Sequence, residues 1–310
     1  MPTRHCFNAC GYCSFRQTAP LALPGGLPAD SLDDATAEAL IAARPDALEV
    51  LLLSGEVHPL APGRAAWFRR LETLSRLALA AGRLPHANAG PLSRVEMARL
   101  GRINPSMGLM FEGVGPSHDR LHAGAPSKRL EVRLEQLEQA GRLGIPFTTG
   151  LLLGLGERPA ERREALAWIA RIQRRWGHIQ EVILQPFRPH GAGATPLTPA
   201  EQGDLLGTIA EARAILPPEV HLQLPPNLWP LEALPAALEA GIDDLGGLDV
   251  ADVINPAYPQ PHPARLAGAL AAAGWELVPR LCVHEAWIPA LHPALRRRVQ
   301  ALAQTLGHGC

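Results

Sequence analysis

This sequence predicts an α/β protein of the TIM-type (βα)8 barrel class, with a partial (βα)6 barrel as the alternative. Short apolar runs recur mostly at intervals of about 35–40 residues, each followed by a stretch with helical spacing, as repeated βα units around a parallel sheet require. With 310 residues, 47% of them apolar, the chain can bury one large core, and barrels of this length need not divide, so residues 1–310 read as one domain. Glycine and polar residues punctuate the ends of the runs, where a barrel keeps its ligand-binding loops.

Only five residues precede Cys6, and Pro2 is a poor strand residue, so the first strand is expected to be short, irregular or truncated. The Pro- and Gly-rich residues 19–28 read as the loop leading to the first helix. Further strands are expected near residues 48–53, 85–88, 107–111, 147–153, 181–185 and 221–224, and one more turn of the pattern across 241–247 brings the count to about eight. Between them, Leu130, Leu134, Leu137 and Gly141 share one helical face after Lys128. Leu205, Ile209, Ala212 and Leu216 share another before Pro217 and Pro218.

Charge and composition narrow the partners. The 29 Lys and Arg nearly cancel the 30 Asp and Glu, so no strong field draws nucleic acid or an anionic membrane, and small molecules are the expected ligands. No apolar run approaches the roughly 20 residues of a spanning helix, and the start lacks the regions of a signal peptide, which predicts a cytoplasmic protein. Three of the five cysteines fall within eight residues, which suits a metal loop in a reducing compartment. Cys282 and Cys310 stand apart and read as a buried thiol and a frayed terminus.

Cys6, Cys10 and Cys13 form a C-x-x-x-C-x-x-C loop. Three thiolates at this spacing can wrap a cuboidal 4Fe-4S cluster and leave its fourth iron free for another ligand. Structural zinc wants four protein ligands, and no second Cys or His pair completes the set. At the strand ends, Ser54, Gly55 and Glu56 follow one apolar run, with a glycine for close approach and a carboxylate that can accept from an ammonium; an ordinary turn is the alternative. Glu112 ends another run, as a ribose-holding carboxylate or a helix N-terminal charge. Gly150, Gly154, Gly156 and Glu157 make a glycine-rich turn without the Lys-Ser or Lys-Thr of a phosphate loop, suited to the face of an adenine or to a structural turn. Asn88, Gln185 with Arg188, Asn227, and Asp243 with Asp244 stand at the remaining ends. They are candidates for a hydrogen-bond-rich substrate, and each alone is as readily a cap or turn residue.

These residues lie in stretches that together resemble one family: CGYCSF at 10–15, NPSMGLMFE at 104–112, AGRLGIPFTTGLLLGLGE at 140–157, LQPFRP at 184–189, PPNLWP at 225–230 and DDLGGLDVADVINP at 243–256. The sequence resembles the radical SAM superfamily and, within it, the CofG-type subunit or N-terminal half of FO synthase (7,8-didemethyl-8-hydroxy-5-deazariboflavin synthase). The resemblance implies that Cys6, Cys10 and Cys13 ligate a 4Fe-4S cluster and that S-adenosyl-L-methionine (SAM) binds its open iron. Tyr12, Ser54, Gly55, Glu56, Glu112, Gly150 and Gly154 would then contact SAM, and Asn88, Gln185, Arg188, Asn227 and Asp244 the substrate. It implies a lyase reaction in which an adduct of tyrosine's hydroxybenzyl group with a ribitylaminouracil loses ammonia to give FO, the chromophore of coenzyme F420. A separate CofH-type radical SAM enzyme would supply the adduct, and a flavodoxin or ferredoxin the electrons. The alternatives are another radical SAM reaction, such as the adduct synthase or a menaquinone-pathway relative, and a non-catalytic zinc-binding scaffold.

Overall fold

The computed structural model describes residues 1–18, 31–189, 195–249, 252 and 254–306. The loop expected at 19–28 and Cys310 lie outside them. Strands β1 (His5–Cys6) and β2 (Gln17–Thr18) pair in parallel on either side of the cysteine loop. Then follow α1 (Asp34–Ala42), β3 (Glu49–Leu53), α2 (Arg64–Ala80), β4 (Leu84–Asn88), α3 (Arg94–Leu100), β5 (Ser106–Gly108), α4 (Pro116–Leu121), α5 (Leu130–Arg142) and β6 (Phe147–Leu153). The chain continues through α6 (Pro159–Trp176), β7 (Ile179–Pro186), α7 (Pro199–Ile215), β8 (His221–Gln223), α8 (Leu234–Ala240), α9 (Pro263–Ala272) and α10 (Pro293–Thr305).

Strands β3 to β8 form one parallel sheet in sequence order. The partial six-stranded barrel is therefore the form adopted, with a short first strand of two residues that pairs with β2. Residues 241–247 do not make the seventh strand that the pattern suggested. Their side chains take the backbone donors instead: Asp243 accepts from the Leu222 N–H at 2.7 Å and Asp244 from the Gly246 N–H at 2.6 Å, which leaves one isolated bridge between Gln223 and Asp244. Local caps fix the helix starts in the same way. Ser93 and Glu96 make a reciprocal capping box on α3, and Thr198 and Glu201 make another on α7.

The apolar core lies outside the barrel, between sheet and helices. Val50 and Leu52 pack on Ala37 and Leu74, while Ala87, Met107, Phe147, Leu151, Val182, Leu184 and Leu222 join the main cluster with the outer helices. Because successive strand residues alternate faces, the inner face carries the residues between them. Most of these are polar or small: His86, Asn88, Ser106, Gly108, Thr148, Gly150, Glu181, Gln185, His221 and Gln223. Leu51, also on that face, is 58% exposed, so the lumen is not filled with side chains as an ordinary barrel core is.

The C-terminal segment closes the floor, the end where the strands begin. Leu281, Cys282, Val283, Trp287, Ile288 and Val299 form a second apolar cluster with Leu84 at the start of β4. The Gln180 amide donates to the Cys282 carbonyl at 2.9 Å, and the Trp287 indole donates to the Gly177 carbonyl at 2.9 Å. Cys282 is the buried thiol expected of it. No described helix is long and apolar enough to cross a membrane.

His178, just before β7, is only 2% exposed, and burial holds its pKa down to about 4. The unfolded chain protonates this ring near pH 6.5, so its contribution to stability is complete above that pH and is lost as pH falls towards 4. The urea midpoint should therefore drop between pH 7 and pH 4.5, and drop less in His178→Gln. Equal drops in the two proteins would remove His178 as a cause.

Candidate active site

The cysteine loop is docked onto the C-terminal end of β3 by backbone contacts. The Gly55 N–H donates to the Thr3 carbonyl at 2.7 Å, the Phe7 N–H to the Glu56 carbonyl at 3.0 Å, and the Glu56 N–H to Cys6 Sγ at 3.4 Å. This approach requires a glycine, since a Cβ at position 55 would sit 2.1 Å from the His5 carbonyl oxygen. The far side of the loop is held by the Ala9 and Gly11 N–H groups, which donate to the carbonyls of Gly124 and Leu121. Residues far apart in sequence thus fix the three thiols at the barrel mouth. Burial raises the Cys6 thiol pKa and pushes that of Cys10 up to about 12, so both are protonated thiols unless a positive group lies beside them.

Beneath the loop lies a buried charged network. Glu56 accepts from the Asn8 amide at 2.9 Å, the Ser127 hydroxyl and Arg133 Nη2 at 3.2 Å. Glu112 accepts from Lys128 Nζ and from the Tyr12 hydroxyl at 3.2 Å. Lys128 also stands 3.8 Å from Glu56, so one ammonium serves both carboxylates. Burial opposes ionisation of Glu112, but Lys128, Arg133 and His122 outweigh it and hold the carboxyl down to about 2. The same competition, won by Arg133 and Lys128, lowers the pKa of Glu56.

Glu112 is also the one non-glycine residue with positive φ among those described, at 77°. It is pinned there by β6: its N–H donates to the Gly150 carbonyl at 3.0 Å, and its carbonyl accepts from the Leu152 N–H at 2.8 Å. A bulky residue in this conformation carries a strain of about 1–3 kcal/mol, which fixes the direction of the carboxylate. The strand read as 107–111 ends at Gly108 as β5: Gly108 pairs with Thr148 and Glu112 next bridges Leu151, four residues against three, so one extra residue interrupts the ladder.

Tyr12, Cys13, Leu152, Gln185, Phe187, Arg188, Ile254 and Asn255 border a cleft that opens to solvent. The cysteine loop and the end of β7 therefore meet, and Tyr12, Gln185 and Arg188 lie together there. Asn88 stands on the inner face at the end of β4, beside Leu53, and neither Asn88 nor Gln185 spends its amide on another described residue.

Several expected roles change. Ser54 and Glu56 spend their side chains inside the protein: the Ser54 hydroxyl accepts from the Trp67 indole at 2.9 Å, and Glu56 is filled by its partners. Gly150 needs to be glycine because a Cβ would meet the Ile183 carbonyl oxygen of β7 at 2.4 Å, not because a ring approaches it. Gly154, at φ 90°, is open to a neighbour, and its N–H donates to Glu157 at 2.8 Å. Arg188 is committed to the Phe187 and Thr195 carbonyls and to Glu201. Asn227 donates to Asp252 at 2.8 Å and to the Tyr258 carbonyl at 2.9 Å, holding the loop whose Ile254 carbonyl accepts from Ser14. Asp244 does not reach the mouth. Deep in the lumen, Arg280 Nη2 donates to Asp244 Oδ1 and Glu181 Oε1, each at 2.7 Å.

Lys128, Arg133, Asn8 and Arg280 escape sequence reading. Lys128 looks like a surface residue before a helix, and nothing local marks it as the partner of two carboxylates 72 and 16 positions upstream. Lys128→Met should cost about 3–5 kcal/mol in urea unfolding, because Glu112 then keeps its charge in a buried site without its cation. A loss below about 1 kcal/mol would mean that Arg133 suffices for both carboxylates.

A family profile described as the Radical SAM superfamily matches residues 1–169. The chain is 48% identical over 305 residues to the 7,8-didemethyl-8-hydroxy-5-deazariboflavin synthase of Thermosynechococcus vestitus, covering 97% of this chain and 95% of that protein. It is 47% identical to the synthase of the same name from Gloeobacter violaceus, covering 99% and 91%. Among solved structures it is similar to the FeFe-hydrogenase maturase HydG from Carboxydothermus hydrogenoformans, with a TM-score of 0.68 at 18% identity over 97% of this chain and 75% of that one. Methylornithine synthase (PylB) gives a TM-score of 0.63 at 13% identity, covering 89% and 81%.

Proposed function

The chain belongs to the radical SAM superfamily and, within it, to the 7,8-didemethyl-8-hydroxy-5-deazariboflavin synthase family of enzymes, and on that basis we propose that it forms FO in the cytoplasm from an adduct of tyrosine's hydroxybenzyl group with ribitylaminouracil, releasing ammonia. The observation that carries this reading is the docking of Cys6, Cys10 and Cys13 at the barrel mouth, beside a cleft that Gln185 borders.

The donor set fits a 4Fe-4S cluster: three thiols from one loop, with Cys6 Sγ accepting from the Glu56 N–H, as sulfur ligands of such clusters do. Cys6, Cys10 and Cys13 would hold the cluster, which together with SAM would supply the radical chemistry of hydrogen abstraction. The chain's own residues provide the rest. Glu112 stays ionised across the working pH range and so remains an acceptor for hydroxyl groups at the mouth. Tyr12 ties the cysteine loop to that carboxylate, and the open backbone at Gly154 allows a flat ring to approach. Gln185 and Asn88 hold the substrate through amides that are free among the described residues. A separate CofH-type enzyme makes the adduct, and a flavodoxin or ferredoxin provides the electron.

Anaerobic reconstitution with iron and sulfide, followed by SAM, dithionite and the adduct, should yield a fluorescent deazaflavin. Cys10→Ala should lose the visible absorbance of the cluster and the product together. A reconstituted, SAM-cleaving wild-type protein that makes no deazaflavin would overturn the assignment.

A further inference from the structure

The half of the lumen remote from the cysteine loop has no part in the chemistry above, yet polar side chains line it. His86 stands on the inner face of β4, with Nδ1 2.6 Å from the Ser106 hydroxyl. Its Nε2 edge lies across β5, where a Cβ on Gly108 would come within 2.9 Å of it, so the glycine makes room for the ring. Nε2 has no hydrogen-bond partner among the described residues. Gln223 faces the same lumen from β8, one strand beyond Glu181 and beside Asp244, and its amide is likewise free among them. Arg280 enters from the floor on the C-terminal segment, 26% exposed, and is held by Glu181 and Asp244.

The charges decide what this surface can take. Burial and the Arg280 charge keep the His86 ring neutral down to about pH 4. Burial raises the pKa of Glu181, so the guanidinium is matched chiefly by the Asp244 carboxylate, which takes two of its bonds, and it offers no unspent charge to a phosphate or carboxylate ligand. Glu181, Asp244 and His284 stand close enough to suggest metal ligands, but Arg280 already supplies the cation between the two acids. What remains is a neutral set with both donors and acceptors: an imidazole edge, a carboxamide and the spare N–H of Arg280 Nη1. The depth is adequate, since Glu181 at the floor and Gln185 at the mouth are four residues apart on β7, about 13 Å at parallel-strand rise.

We propose that His86, Gln223 and Arg280 form a subsite for a neutral, hydroxyl-rich chain, which holds the ribityl tail of the substrate at the lumen floor while its aromatic end lies at the mouth. The ligand named here rests on the function proposed above; the polarity of the floor does not. Glu181 and Asp244 act as positioning residues for Arg280.

Titration calorimetry reads the subsite without turnover. The reconstituted enzyme with SAM is titrated with ribitylaminouracil and with the analogue carrying N-methyl in place of ribityl. Wild type should bind the ribityl compound at least tenfold tighter. His86→Ala and Gln223→Ala should each reduce that preference about five- to tenfold, the equivalent of one hydrogen bond, with retained SAM binding as the control for folding. No preference in wild type, or an undiminished preference in both variants, overturns the subsite whether or not deazaflavin is made. A preference that the variants lose, in an enzyme that makes no deazaflavin from the adduct, upholds the subsite and removes the assigned product.

Discussion

Two carboxylates are buried at the mouth of this barrel, and the arrangement of the site depends on the cations buried with them. Glu56 and Glu112 come from the ends of different strands; Lys128, in the turn before α5, reaches both, and Arg133, in the first turn of α5, reaches Glu56. Desolvating such charges costs several kcal/mol per ion unless pairing and hydrogen bonds offset it. Here the offset is shared: Asn8 and Ser127 complete Glu56, and Tyr12 completes Glu112. Asn8 and Tyr12 belong to the cysteine loop, so satisfying the carboxylates and placing the thiols are one event.

That coupling explains why the barrel functions with so little first strand. Two residues of β1 would be a poor anchor if ladder bonds were its sole support. The loop is instead held from three sides: by the Gly55–Glu56 backbone, by the carbonyls of Leu121 and Gly124, and by the Ser14 hydroxyl on the loop that Asn227 and Asp252 brace. Residues that sequence reading assigns to cofactor or substrate turn out to belong to this scaffolding, Glu56 and Asn227 among them.

The sheet was legible because strand and helix periods differ and each run is long enough to show its own; the limits of β6 coincide with those read from residues 147–153. What escaped was non-local. The aspartates at 243 and 244 look like strand-end acceptors for a substrate in one dimension, and only the fold shows them satisfying neighbouring N–H groups and Arg280. That the three cysteines come together was legible for the opposite reason, since they lie within eight residues of one loop. Lys128 and Arg280 have no such local signature, because their meaning lies in acids supplied from elsewhere in the chain.

Position 112 joins two requirements that no other single residue meets. Its backbone occupies a left-handed conformation that glycine would adopt more cheaply, while its side chain carries the charge that answers Lys128. Glycine would relax the main chain and orphan the ammonium; glutamine would keep the shape and surrender the charge; aspartate, more at ease in that conformation, is one methylene too short. Such a position is an evolutionary dead end in the literal sense: every one-step exit trades away one of its two duties, so drift at this site should be slower than at the thiol-bearing loop's own flanks.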